Sequence, residues 1–166
     1  RGGGSHRAFG RRLVPRHHGI LQKVVTSSKE KNINVKDVEE ITGVPKGTLV
    51  NELLSAVQDG KLAEALAAVA KASAGAIDMK IFLKLLLHKA RAVMLLRLAP
   101  ELKRELSEQF GEEDFALLGR LSALKEQRIN SALLRELLDA YIQTGSSYIP
   151  QLPLELALAK VLGKGE

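Results

Sequence analysis

Ile77-Asp-Met-Lys-Ile-Phe-Leu-Lys-Leu-Leu-Leu-His-Lys-Ala-Arg-Ala-Val-Met-Leu-Leu-Arg-Leu-Ala-Pro100 is the stretch whose reading decides the fold. Asp78 suits an N-cap, because its carboxylate can accept the unpaired amide protons of a first helical turn. Ile77 before the cap and Phe82 inside it are spaced as a hydrophobic staple. Pro100 ends the run, since it has no amide proton and restricts the residue before it. Between these marks, apolar residues cover most of the circumference, which predicts a helix buried on nearly all sides. Ile81, Leu85, Leu86, Val93 and Leu96 are its expected core. A membrane span fails as a reading, because Lys80, Lys84, Lys89, Arg91 and Arg97 interrupt the run.

Lys80, Lys84, His88 and Arg91 follow steps of four, four and three, so they share one helix face. Two readings of that face stay open: a solvated strip, or a surface for acidic groups of a partner subunit or a nucleic-acid backbone.

Working outward, 166 residues suffice for one sizeable domain. Leu and Ala dominate and aromatics are scarce, which suits helices better than a β-sandwich. The absence of Cys excludes disulfides and thiolate metal sites. No signal peptide or membrane span is visible, so a cytoplasmic protein with no membrane partner is expected. The net charge of +6 is not spread evenly. Arg1, Arg7, Arg11, Arg12, Arg16 and Lys23 stand in the first 23 residues with no acid, leaving 19 bases against 19 acids in the remainder. Charge alone therefore gives no case for nucleic-acid binding.

Residues 1–19 lack periodicity and read as a disordered basic segment. Gly4-Ser5-His6, Leu13-Val14-Pro15-Arg16 and His17-His18 resemble pieces of an expression tag and a protease site. Residues 20–43 read as helix ends: a tail from Ile20, then a helix capped by Asn34 and stopped by Gly43. A helical domain is expected over 44–163. Pro45 opens a helix that Asp59-Gly60 closes, and a second runs from Leu62 to about Ser73, before the breaker Gly75. After the central helix, Leu102, Leu106 and Phe110 mark a short one. Glu112-Glu113-Asp114 favours the first turn of the next, which buries Phe115, Leu118 and Leu121. Asn130 caps a helix with Leu133, Leu137, Leu138 and Tyr141 inside and Gly145 at its end. Pro153 opens the last, from Leu154 to Leu162. No window alternates in the strand manner. The fold class is all-α, a compact bundle of about seven or eight helices.

Catalytic chemistry needs a constellation, and none is legible. Gly43-Val-Pro-Lys-Gly-Thr48 lacks the spacing of a phosphate loop. His88 is the only His after residue 18, so no His pair is available for a metal. Scattered Ser and Thr have no base to activate them. The expectation is no catalytic residue, no metal, no cofactor and no enzyme activity.

Three segments carry a resemblance. Ile33-Asn-Val-Lys-Asp-Val-Glu-Glu-Ile-Thr-Gly-Val-Pro45 is similar to the end of the lid domain in the gamma/tau subunit of bacterial DNA polymerase III, the motor of the sliding-clamp loader. Phe82-Leu-Lys-Leu-Leu-Leu87 with Leu95-Leu-Arg-Leu-Ala-Pro100 resembles the long helix of that subunit's third domain. Tyr148-Ile-Pro-Gln-Leu-Pro-Leu-Glu-Leu-Ala-Leu158 resembles the same domain's closing motif. The resemblance implies a non-catalytic, collar-like oligomerisation domain serving clamp loading in DNA replication. Its implied partners are other clamp-loader subunits or copies of itself, with DNA engaged only indirectly through the complex. Lys80, Lys84, Arg91, Tyr148, Leu152 and Leu156 are the candidate interface residues. Gly4-Ser5-His6-Arg7-Ala8 resembles the start of the lid's sensor motif, which would make Arg7 a remnant of a nucleotide-sensing arginine. The motif's Asp is absent, and a tag or a frame-shifted remnant reads equally well there. The alternative for the whole chain is a free-standing helical protein-interaction adaptor unrelated to replication; direct DNA binding through Lys80, Lys84 and Arg91 is a third reading.

Without a phosphate-cradling loop, the chain is expected neither to bind nor to hydrolyse ATP. Calorimetry with MgATP at millimolar concentration should give no saturable heat; micromolar affinity would overturn the reading of Arg7 as an orphan.

Overall fold

The computed structural model describes residues 46–163. The expectations for residues 1–45, among them the 1–19 segment, Arg7 and the Asn34-capped helix, lie outside the described residues. Among the described residues there are seven α-helices and no strand, so the expected all-α bundle is what forms. The helices are α1 (Lys46–Gln58), α2 (Leu62–Ala74), α3 (Met79–Leu98), α4 (Lys103–Ser107), α5 (Glu112–Ser122), α6 (Ser131–Thr144) and α7 (Leu152–Leu162). A single 3-10 turn, Pro100–Leu102, joins α3 to α4.

Helix α3 is the axis of the bundle. The Asp78 carboxylate accepts from the backbone N–H of Lys80 at 2.8 Å and of Ile81 at 3.2 Å, so the expected cap is in place. Ile77 and Phe82, the staple pair, are both buried. Helices α1, α2, α5 and α6 pack around α3, and α7 closes the bundle against α6 and α2. Each contributes a stripe at three- and four-residue spacing: Leu53 and Leu54 from α1, Val69 from α2, Leu118 from α5, Leu133 and Leu137 from α6, Leu154 and Leu158 from α7.

The burial of α3 is less complete than its composition implies. Leu85, Leu86 and Val93 are in the core as expected, together with Phe82 and Leu83. Ile81 and Leu96, expected there too, are half-buried, because neighbours cover only part of the helix. On α6, Leu138 is exposed and Tyr141 half-buried, so the inner side consists of Leu133, Leu137, Ala140 and Thr144. Helix α7 starts at Leu152, two residues before the expected position, with Pro153 still inside its first turn.

The segment between α5 and α6 is tied down by polar contacts. The Arg128 guanidinium donates to the Gln58 carbonyl at 2.8 Å, and the Gln58 side chain donates to the carbonyl of Glu126. Arg97 donates to the Ile129 carbonyl at 2.9 Å. The Arg128 side chain lies against Gly60, whose φ of 72° closes α1. A Cβ at Gly60 would stand 2.9 Å from the guanidinium carbon, so glycine is needed there twice over.

The turn from α2 to α3 departs from expectation in an informative way. The left-handed residue is not Gly75 (φ −81°) but Ala76, at φ 59°. Ala76 N–H donates to the Ser73 carbonyl and Ile77 N–H to the Ala72 carbonyl, both at 3.0 Å. This is the Schellman closure, with buried Ile77 packed back toward Ala72. Alanine pays a steric penalty in this conformation that glycine avoids. Ala76→Gly should therefore stabilise the protein by about 0.5–1 kcal/mol in denaturant unfolding, net of the extra entropy glycine gives the unfolded chain. A loss of stability would show that the left-handed turn is not maintained in solution.

Candidate interaction surfaces

Lysine is rarely found fully buried without a partner. Lys89, near the middle of α3, has no exposed surface. Its ammonium donates to Asn51 Oδ1 of α1 at 2.9 Å and lies 3.2 Å from Asp114 Oδ2 of α5. Asn51 Nδ2 in turn donates to Asp114 Oδ1 at 2.9 Å. Three helices thus meet in a closed ring of polar contacts. Asp114 keeps a fifth of its side chain exposed, which lowers the cost of holding its charge there. Sequence reasoning took Lys89 for one interruption of an apolar run and Asp114 for a first-turn acid. The overlooked signal was position: Leu85, Leu86, Ala92 and Val93, three and four residues to either side of Lys89, are all buried.

The basic strip of α3 is one wall of a groove. Lys84, His88 and Arg91 line it together with Leu87 and Met94, and Leu134, Arg135, Leu138 and Tyr141 of α6 form the opposite wall. The groove has a volume of about 530 Å³. Its lining holds no carboxylate. Lys80 stands over the Tyr141 ring, with its ammonium 4.4 Å from the ring centre, a cation–π contact that anchors this end of the strip to α6. Burial, and then the charges of Lys84 and Arg91, hold the His88 imidazole below its ordinary pKa. The solvated-strip reading thus holds only at exposed Arg91, while Lys80, Lys84 and His88 are half-buried.

The other candidate residues lie on a different element. Tyr148, in the turn leading into α7, is 99% exposed, and Leu152 and Leu156 are exposed on α7 itself. Leu152 and Leu156 are one helical turn apart and share a stripe. Lys160, next along it, reaches Glu136 of α6 at 3.0 Å. The structure therefore splits the six candidates into two groups: Lys80, Lys84 and Arg91 beside the groove, and Tyr148, Leu152 and Leu156 on the α7 side. No described helix is long and apolar enough to cross a membrane.

Among models of known protein families, that of DNA polymerase III subunits gamma and tau, domain III, matches residues 33–163. The chain belongs to this family. The match spans every described helix and includes the Phe82–Leu87 and Tyr148–Leu158 segments that suggested it. Domain III of gamma and tau is a non-catalytic domain family, in keeping with a fold whose charged groups serve packing and surface. Comparison with curated proteins and with solved structures gives no match.

In this domain III chain, removing one member of the buried pair should cost more than removing the charge itself. Asp114→Ala leaves an ammonium buried with only an amide for company, and should destabilise by about 3 kcal/mol or more. Lys89→Met keeps the volume and removes the charge, so its cost should be clearly smaller. Urea unfolding of both variants checks the order; a reversed order would mean that water reaches Lys89.

Proposed function

We propose that this chain is the collar domain of a clamp-loader gamma/tau subunit, a non-catalytic element that packs side by side with equivalent domains during sliding-clamp loading in DNA replication. The observation that carries the reading is the family match over residues 33–163, which spans the whole described bundle. The bundle's surface supports it independently. Leu98, Leu138, Ile142, Tyr148, Leu152 and Leu156 all leave more than a third of their surface exposed. Apolar exposure on this scale marks contact with other protein more readily than with water. Its partners are other clamp-loader subunits or further copies of itself, in the cytoplasm, with DNA reached only through the assembled complex. Lys80, Lys84, Arg91, Tyr148, Leu152 and Leu156 belong to the contact surfaces.

Sedimentation of the chain alone, and again with the other clamp-loader subunits, tests the proposal. Association should appear in at least one of the two runs at tens of micromolar. A strict monomer in both would defeat the collar reading and promote a free-standing adaptor.

A further inference from the structure

The two groups of exposed side chains differ in shape and in charge, and they lie on different flanks of the same helix. Successive residues of an α-helix advance by about 100°, so Glu136 and Leu138 of α6 point roughly 200° apart. Leu138 lines the groove against α3, whereas Glu136 pairs with Lys160 of α7. The groove is concave and apolar at its base, and its walls bear Lys84, His88, Arg91 and Arg135 with no acid. The α7 side is convex, with Tyr148 99% and Leu156 58% exposed. From Glu136 to Ala159 the chain carries Glu136, Asp139 and Glu155 and no Lys or Arg. One flank thus presents a basic-rimmed recess, and the other a slightly acidic apolar ridge.

We infer that the α3–α6 groove of one copy receives the Tyr148–Leu156 ridge of a second copy of this chain. The inference rests on the collar reading and specifies which two surfaces meet. Opposite charge would set the register, bringing Glu155 of the ridge toward Lys84, Arg91 and Arg135 of the groove, while the apolar side chains supply the buried area. Because groove and ridge do not overlap, each copy that uses its groove still offers its ridge. The contact is heterologous, and repetition gives a ring or an open chain according to the rotation between neighbours.

Two variants at exposed positions test this without threatening the core. Leu138→Glu spoils the groove by placing a carboxylate where the ridge's Glu155 must approach. Leu156→Lys spoils the ridge by adding a cation against a basic rim. Circular dichroism melts confirm that both fold, and sedimentation of the full chain reads association. The wild type should associate, each variant alone should be monomeric, and the mixture should form a one-to-one complex that stops at the dimer. That dimer would pair the intact groove of Leu156→Lys with the intact ridge of Leu138→Glu. If the wild type associates but the mixture gives no such dimer, or if either variant associates like the wild type, the inference falls and the collar reading stands. A wild type that is monomeric alone also overturns it. If that monomer binds other clamp-loader subunits and loses them with Leu138→Glu, the groove serves a different partner. If it binds none of them, the collar reading fails as well.

Discussion

A single ammonium group constrains the centre of this bundle. Lys89 has no exposed surface, and its charge is held by Asn51 and Asp114 from two other helices. An apolar core tolerates small slips of one helix along another, because dispersion and burial have little directional preference. A buried ammonium does not, since a slip of one residue would leave it without its carboxylate. The triad therefore acts as a register pin joining α1, α3 and α5 at one level. Its net contribution to stability need not be large, because desolvation of both ions opposes their attraction. Its value lies in excluding alternative packings of helices whose apolar stripes are rich in interchangeable Leu and Ala.

With α3 pinned, the remaining features follow from what its surface still has to cover. Helices α1, α2 and α5 occupy one side, and α6 leans against another, anchored where Lys80 lies over Tyr141. The connection before α6 is drawn in by Arg97, Gln58 and Arg128, which satisfy carbonyls that would otherwise lack partners. The space left between α3 and α6 is not filled by any described side chain, and it becomes the basic-rimmed groove. Helix α7, held to α6 by Lys160 and Glu136, buries Leu154 and Leu158 and leaves Leu152 and Leu156 outside. A domain this small, with one helix apolar over most of its circumference, has too few neighbours to cover every apolar side chain. The uncovered remainder is what an assembly would use.

The functional conclusion draws on two kinds of support that bear on different questions. The family match over residues 33–163 establishes what kind of domain this is. The distribution of charge and exposure speaks to how such a domain could contact another. Neither involves a reaction centre: the buried ionic groups face one another rather than a cleft, and the groove's one imidazole stands among cations with no carboxylate beside it.

Local rules determined much of this structure from the sequence alone. The Asp78 and Asn130 caps, the Ile77–Phe82 staple, the Gly60 turn and the helix ends need only neighbouring residues, and all form where the residues predict. The three segments that resembled the gamma/tau family were likewise legible, because motif and order survive without coordinates. What depended on distant neighbours was not. Ile81 and Leu96 are apolar and helical, yet only the placement of α5 and α6 decides that they stay half-buried. Lys89 looked like an interruption because its partners lie 38 and 25 positions away in the chain, Asn51 before it and Asp114 after it. Left-handed Ala76 was invisible because propensity assigns that conformation to glycine, whereas the paired hydrogen bonds of the turn impose it on alanine. The groove belongs to the same class. Its basic wall could be read from the spacing of Lys84, His88 and Arg91, but its opposite wall comes from α6, and only tertiary packing brings the two together.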